Sequence, residues 1–496
     1  MSSRSDNIMW DRLFRISRDR KTSYQRQLRE MIVSAILDDK LPLDVPLPSS
    51  RELARHLGIA RNTVVLAYQQ LIDEGYLIAR ERSGYYIDKT MLDGRVRVEP
   101  LQPDGEHKPP DWKRHIKFRP SQQRNIIKPV AWTDYPYPFL FGQLDPDLFP
   151  VSDWRDCCRQ ALSVSDIREV TPDRIDIDDP LLIEQIQARI LPRRGVWAAR
   201  DEILITMGAQ QALYILADLL IGRGTRVGME NPGYPDARNI FELKSPQMVP
   251  LAVDDQGVEI SSQLDQCEFV YVTPSHQSPT TVTMPLERRE QLLRHAESKD
   301  FLVIEDDYES EINFVGDPTP ALKSLDASER VIYVGSLSKT LAPGLRLGYM
   351  VAPRPLIDEA RALRRLMVRH PPANNQRIVA LFLSMGHHDS LIHRLSQTYK
   401  TRWQVMGEAL NRHLPESSRI PSFGGTSYWV EGPADLDTRE LKDRAREAGI
   451  LIESGDVCFM QKNPPQNFIR LGYSSIRARQ IEPGIRKLAE LIHEAR

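Results

Sequence analysis

Residues 331–349 read VIYVGSLSKTLAPGLRLGY. The opening run Val331–Gly335 is short, apolar and rich in β-branched and aromatic residues, which predicts a buried strand. It runs into Ser336-Leu337-Ser338-Lys339, so the lysine stands where a strand gives way to a turn and its amine can be held over a bound group. Pro343-Gly344 then break the pattern. Arg346 follows, and its planar fork can grip a phosphate through two parallel hydrogen bonds.

Working outward, Ile203–Thr206, Phe269–Thr273 and Phe301–Glu305 are runs of the same kind, and amphipathic stretches such as Gln210–Leu220 and Leu286–Ser298 lie between them. This βαβ alternation predicts an α/β body whose mostly parallel sheet lies between helices. The predicted strand ends carry polar chemistry. Glu305-Asp306-Asp307-Tyr308 closes one strand, and the turn Met207-Gly208-Ala209-Gln210 opens a helix whose free N–H groups and dipole make an anion site. Glu230-Asn231-Pro232-Gly233-Tyr234 adds an aromatic ring.

A pyridoxal 5'-phosphate site needs a lysine for a Schiff base, an acid under the pyridine nitrogen, a phosphate cradle and a ring that stacks on the cofactor. Each need has a candidate among these residues. Taken singly, Lys339 reads first as a surface lysine, Asp306 as a strand-end cap and Gly208 as a turn glycine. The ordered set is more specific. TMGAQQAL, ENPGYP, VTPSHQSPT, VIEDDYESE, GSLSKTLAPGLRLGY and FIRLGYS resemble, in sequence and in order, the motifs of fold-type I aminotransferases over most of residues 135–490. The resemblance implies that Lys339 is the Schiff-base lysine, Asp306 the pyridinium partner and Tyr308 the partner of the phenolic oxygen. It further implies that Arg346, Ser336, Ser338, Ala209 and Gln210 hold the phosphate, that Tyr234 stacks on the ring, and that Arg470 clamps a carboxylate. Ser278-Pro279-Thr280-Thr281 stands where those enzymes have Asn-Pro-Thr-Gly, so Ser278, with its shorter reach, replaces an asparagine that would meet the phenolic oxygen.

The first 130 residues differ in charge from the rest. The 496-residue chain carries 66 Lys+Arg against 68 Asp+Glu, but residues 1–130 hold 24 against 17, so a basic appendage precedes an acidic body. Tyr24–Asp38 sets Leu28, Ile32, Ala35 and Ile36 on one helical face. Ser49-Ser50-Arg51-Glu52 fits a capping box that starts a second helix, which ends before Gly58. A third helix spans about residues 60–74, and Tyr76–Asp88 reads as a hairpin with its tip at Ser83-Gly84. The run LPSSRELARHLGIARNTVVLAYQQLIDEGYL, then RSGYYI, resembles the winged helix-turn-helix of GntR-type regulators. That resemblance implies contacts to double-stranded DNA from Ser50 and Arg51, from Arg61, Asn62 and Thr63 on the recognition helix, and from Gly84 in the wing. Arg82 stands where the usual wing has glycine and can still meet a phosphate.

Six prolines between residues 93 and 130 predict a stiff linker. The expected order is therefore a winged helix-turn-helix domain over 12–90, a Pro-rich basic linker over 91–130 and an aminotransferase-like domain over 131–496. Reader, linker and body in this order resemble the MocR/GabR group of bacterial transcription regulators, and FGQLDPDLFP at 141–150 resembles the start of that group's effector domain. The resemblance implies a head-to-tail, domain-swapped homodimer. It also implies a small-molecule amine effector, such as an amino acid, γ-aminobutyrate or taurine, that exchanges with the Lys339 internal aldimine. Two alternatives keep the same residues: a working aminotransferase with an N-terminal regulatory domain, and a regulator that senses pyridoxal 5'-phosphate itself. Four cysteines without CxxC spacing indicate no metal site, and with no apolar run near ~20 residues the expected setting is cytoplasmic, away from membranes.

Overall fold

The computed structural model describes residues 14, 16–17, 22–91, 110–309, 311–313, 319–419 and 424–494. They form two compact units, Met1–His115 and Ile116–Arg496. The proline-rich stretch 91–130 is thus shared between them, and its residues 92–109 lie outside the described residues.

The first unit contains α1 (Tyr24–Leu37), α2 (Ser50–Leu57), α3 (Arg61–Asp73) and the hairpin of β1 (Leu77–Arg80) with β2 (Gly84–Ile87). The apolar faces of the three helices meet in one core that includes Leu28, Ile32, Leu53, Val64, Tyr68 and Leu71. Ser49 caps α2, its Oγ accepting from Glu52 N at 3.3 Å. Gly58, at φ +66°, ends that helix in a left-handed turn that only glycine adopts without strain. Leu47 N donates to Tyr85 O at 2.8 Å, tying the wing to the segment just before α2.

The second unit is built on an eight-stranded sheet. Its strands are β3 (Ile203–Thr206), β4 (Val227–Asn231), β5 (Met248–Asp254), β6 (Gly257–Val258), β7 (Phe269–Val272), β8 (Leu302–Asp307), β9 (Val331–Ser336) and β10 (Gly348–Val351), in the spatial order β3-β10-β9-β8-β7-β4-β5-β6. Pairs β9–β8, β8–β7, β7–β4 and β4–β5 are parallel, whereas β10 runs antiparallel to β9 and β3 on either side. Every residue of β3, β7 and β10 is buried, as expected of strands covered by helices on both faces. The helix α4 (Ala209–Leu220) follows β3. Strand β8 runs two residues beyond the predicted Glu305, because Asp306 and Asp307 pair in register with Val334 and Gly335 of β9.

A second, antiparallel sheet was not foreseen. It consists of β11 (Ser418–Arg419), β12 (Ser427–Glu431), β13 (Glu453–Ser454) and β14 (Phe468–Gly472), in the order β11-β12-β14-β13. Arg470 lies on β14, opposite Trp429 of β12 and Glu453 of β13. Its strands are two to five residues long, too short to leave a distinct period in the sequence.

Candidate cofactor pocket and DNA-reading surface

The carboxyl ends of β3, β8 and β9 surround a cavity of about 330 Å³, the usual place for a ligand in an open α/β sheet. Lys339, Asp306, Tyr308, Tyr234, Arg346, Ser336, Ser338, Ala209, Gln210 and Ser278 all line it. Ten positions spread over more than a hundred residues of sequence are brought around one cavity.

Lys339 sits just past β9, and its Nζ lies 4.3 Å from the centre of the Phe141 ring and 5.8 Å from that of Tyr308. Burial among these rings pushes the amine down to about 8, against the pull of Glu309. Asp306, 3% exposed, is the penultimate residue of β8. Its Oδ2 accepts from the Tyr271 hydroxyl at 2.8 Å, and its Oδ1 has no partner among the described residues. Burial raises this carboxyl to about 6, opposed by the Tyr271 hydrogen bond and by Lys339. The Tyr308 hydroxyl is buried and interacts with the Arg470 guanidinium.

The opposite end of the cavity is a phosphate-shaped cradle. Gly208, at φ +78°, caps α4 and leaves the N–H groups of that helix start uncovered. Arg346 reaches over it, donating from Nη2 to Met207 O at 3.3 Å. A Cβ on Gly208 would lie 3.0 Å from that Nη2, and one on Gly348 2.8 Å from Ala209 N, so glycine at both positions keeps the cradle open. Ser336 closes β9 beside it. The Ser338 hydroxyl is committed to the lysine turn, donating to Leu347 O at 3.0 Å and accepting from Leu347 N at 2.8 Å. Tyr234 fixes its ring by donating to Asp236 Oδ2 at 3.0 Å, and Ser278 N donates to Thr273 Oγ1 at 2.9 Å.

Arg470 does not line this cavity. Its guanidinium carbon lies 3.3 Å from the centre of the Phe141 ring, which Lys339 Nζ also approaches to 4.3 Å. Nε donates to Ser427 Oγ at 3.0 Å and Nη2 has no partner among the described residues. Phe141 and Lys128 were missed as lining residues, although FGQLDPDLFP already marked the segment that begins at Phe141. Lys128, assigned to the linker, donates to Phe141 O and pairs with Glu453 Oε1 at 3.1 Å. Behind the pocket, Arg194 joins Asp307 (2.8 Å), Ser275 (2.7 Å) and Thr319 O (2.6 Å) in a buried network.

In the first unit Arg51, Arg61, Asn62, Arg82 and Gly84 are exposed and Thr63 is half-buried at the start of α3. Ser50 is turned inward. It is 8% exposed, and its Oγ accepts from Arg61 Nε at 3.5 Å, so packing of α2 on α3 turns it toward Arg61. Arg80 stacks on the Tyr86 ring, 4.4 Å from its centre, stiffening the wing.

The donors present suit pyridoxal 5'-phosphate. An unpartnered buried carboxylate oxygen faces one end, a helix N-terminus with an arginine faces the other, and an amine of lowered basicity lies between them. The fold and pocket define a DNA-reading module joined to a body of the aminotransferase fold. The family model for aminotransferase class I and II matches residues 151–488, and that for bacterial regulatory proteins of the gntR family matches residues 24–87. The chain is 44% identical over 470 residues to the HTH-type transcriptional regulator TauR of Rhodobacter capsulatus, a match covering 95% of this chain and 96% of that protein. It is 30% identical over 475 residues to the probable rhizopine catabolism regulatory protein MocR of Rhizobium meliloti, covering 95% and 94%. Among solved structures, a kynurenine aminotransferase of Pyrococcus horikoshii matches with a TM-score of 0.69 and 27% identity, over 77% of this chain and 98% of that one. The chain belongs to the MocR/GabR-type transcription regulators, in which a GntR-family winged helix-turn-helix precedes an aminotransferase class I and II domain.

Proposed function

We propose that this regulator holds pyridoxal 5'-phosphate on Lys339 and changes its hold on DNA when a small primary amine bearing an acid group enters the same pocket. The observation that carries this reading is the convergence of the ten lining residues around Lys339, with Asp306 Oδ1 left unpartnered. Bound there, the cofactor supplies an aldehyde carbon for which an effector amine and the Lys339 Nζ compete. The protein's own part is positional. Asp306 receives a proton-bearing ring nitrogen, Arg346 with the start of α4 anchors the phosphate, and the depressed basicity of Lys339 keeps a share of its amine neutral near pH 7. Arg470 supplies the charge for the effector's acid group.

A homodimer would pair two DNA readers. Leu366, Met367 and Val368, exposed near the end of the helix Arg354–Val368, are apolar groups that a second copy could cover. Differential affinity of the effector for two dimer states is sufficient for switching. The site is proposed to serve sensing in the cytoplasm; a residual transaminase half-reaction would use the same groups and is measured as turnover with an amine donor and a keto-acid acceptor.

A second reading has one specific observation in its favour. The pyridoxine biosynthesis transcriptional regulator PdxR of Corynebacterium glutamicum is 30% identical over 427 residues, which fits a protein that reports the cofactor itself. DNA affinity is to be titrated first with cofactor alone, then with cofactor plus amines. A change only in the second titration supports amine sensing; a full change in the first supports cofactor sensing. A visible absorption band that persists unchanged in Lys339→Ala would remove the lysine assignment.

A further inference from the structure

We propose that residues 123–128 form a strap that is drawn onto the body when the cofactor pocket fills, with Lys128 as its pocket-facing end. The inference rests on the proposed seating of pyridoxal 5'-phosphate at Lys339. The chain passes from the DNA reader to the body through this segment, so release of the strap lengthens the chain left between them and seating shortens it. Residues 124–129 belong to no helix or strand, and side chains rather than a backbone ladder hold them.

Polar side chains anchor the strap upstream of Lys128. Arg124 donates from Nη2 to Phe459 O at 2.7 Å, its own carbonyl accepts from Asn239 Nδ2 at 3.0 Å, and Gln123 Nε2 donates to Asn239 O at 3.0 Å. Asn239 lies in the helix Pro235–Glu242, which starts directly after the pocket residue Tyr234. Asn125, Ile126 and Ile127 border a separate cavity of about 260 Å³ together with Ile452 and Glu453, so the strap has open space beside it. A segment held in this way opens at a lower free energy than a strand inside a sheet does.

Glu453 of β13 seats Lys128. Its Oε1 lies 3.1 Å from the ammonium and also accepts from Phe141 N at 3.2 Å, while its Oε2 has no partner among the described residues. Lys128 and Lys339 both line the cofactor pocket. A Cβ on Gly142 would stand 2.7 Å from Lys339 Nζ and 3.9 Å from Lys128 Nζ, so glycine there lets the two amines approach the same point. Two ammonium groups so placed repel, and Lys128 is one of the groups that hold Lys339 below the ordinary lysine range. A phosphate-bearing cofactor brings negative charge that offsets this repulsion and attracts an ammonium in the wall. The cofactor thus binds the seated strap more tightly than the released one, and by linkage seating and loading strengthen each other.

The test uses the full chain and two readouts: pyridoxal 5'-phosphate affinity from absorbance titration, and the rate of tryptic cleavage after Arg124 followed by mass spectrometry. In wild type the cofactor should slow cleavage after Arg124 by about fivefold or more, the low end of the range for coupled sites, and leave cleavage after the exposed Lys117 unchanged. Gln123→Ala, which removes the bond to Asn239 O, should speed cleavage after Arg124 and weaken the cofactor. Arg124→Ala should weaken the cofactor by about fivefold or more, although Arg124 does not line the pocket. Equal cleavage after Arg124 with and without cofactor, or unchanged cofactor affinity in both variants, would overturn the strap while leaving the cofactor site intact. A wild-type protein that takes up no cofactor would overturn the strap and the reading of the pocket together.

Discussion

The hydroxyl of Tyr271 donates to Asp306 Oδ2 at 2.8 Å, leaving Asp306 Oδ1 as the free face of a buried carboxyl. Burial raises Asp306 to about 6, and the Tyr271 bond is the largest influence in the other direction. Tyr271→Phe should therefore raise Asp306 further and weaken cofactor binding by roughly tenfold or more, since a hydrogen bond to a charged group is worth about 1.5–3 kcal/mol. Absorbance titration of the apoprotein with pyridoxal 5'-phosphate measures it.

Two titrations bound the pH range of cofactor capture. Below about 6 Asp306 takes up a proton and can no longer pair with a protonated ring nitrogen, so affinity should fall on acidification. Lys339 attacks only as the neutral amine, and burial brings it down to about 8, so the capture rate should climb with pH and level off above that value. An unperturbed lysine would still be climbing near pH 10. Stopped-flow mixing over pH 5–10 reads both limbs.

Gly142→Ala should abolish cofactor loading while leaving the fold intact. At φ +67° a side chain costs about 1–2 kcal/mol, and its Cβ would stand 2.7 Å from Lys339 Nζ. Circular dichroism should stay near wild type as the visible band disappears.

Arg194→Met should destabilise the second unit by about 3–5 kcal/mol, because Asp307 would remain buried without its cation. Urea unfolding at neutral pH checks the magnitude. Burial pushes Asp307 up, but Arg194 and Tyr333 outweigh it and hold the folded value below the usual one. The stabilisation is present at neutral pH and lost as acid protonates this carboxylate, so wild type and variant should converge at low pH.

Arg61→Ala should weaken DNA binding across sequences and reduce the salt slope by about one unit if Arg61 meets a phosphate. Ser50→Ala should produce a smaller loss through disorientation of Arg61, given their 3.5 Å contact. Fluorescence anisotropy on the protein's own upstream region at several salt concentrations separates the two.

Local pattern was enough for much of this molecule. The predicted strands lie within a residue or two of the observed ones, and the helix starts at Ser50 and Ala209 follow from a cap and a turn glycine. Lys339 and Asp306 could be picked out because each sits in or just past a strand written in consecutive residues, and Arg346 because it follows the Pro343-Gly344 break just before β10. Tyr271 as the partner of Asp306 was not legible, since the two lie on adjacent strands 35 residues apart. The contact of Ser50 with Arg61 was not legible either, because the pairing of two helix faces, not the cap motif, decides which way its hydroxyl turns.

Phe141 shows where the boundary falls. Its neighbours in sequence, Leu140 and Gly142, say nothing of Lys339 or Arg470. Only the pairing of β13 with β14, and the contact of Phe141 N with Glu453 312 residues away, brings its ring close to both, 4.3 Å from Lys339 Nζ and 3.3 Å from the Arg470 guanidinium carbon. The sequence alone determined that this chain joins a GntR-type winged helix-turn-helix to an aminotransferase-like body with a lysine just past a strand end, because strand periods, caps and strand-end residues are local. Tertiary structure decided which side chains face that lysine and how the arginine behind them is covered, because burial and long-range pairing set those distances.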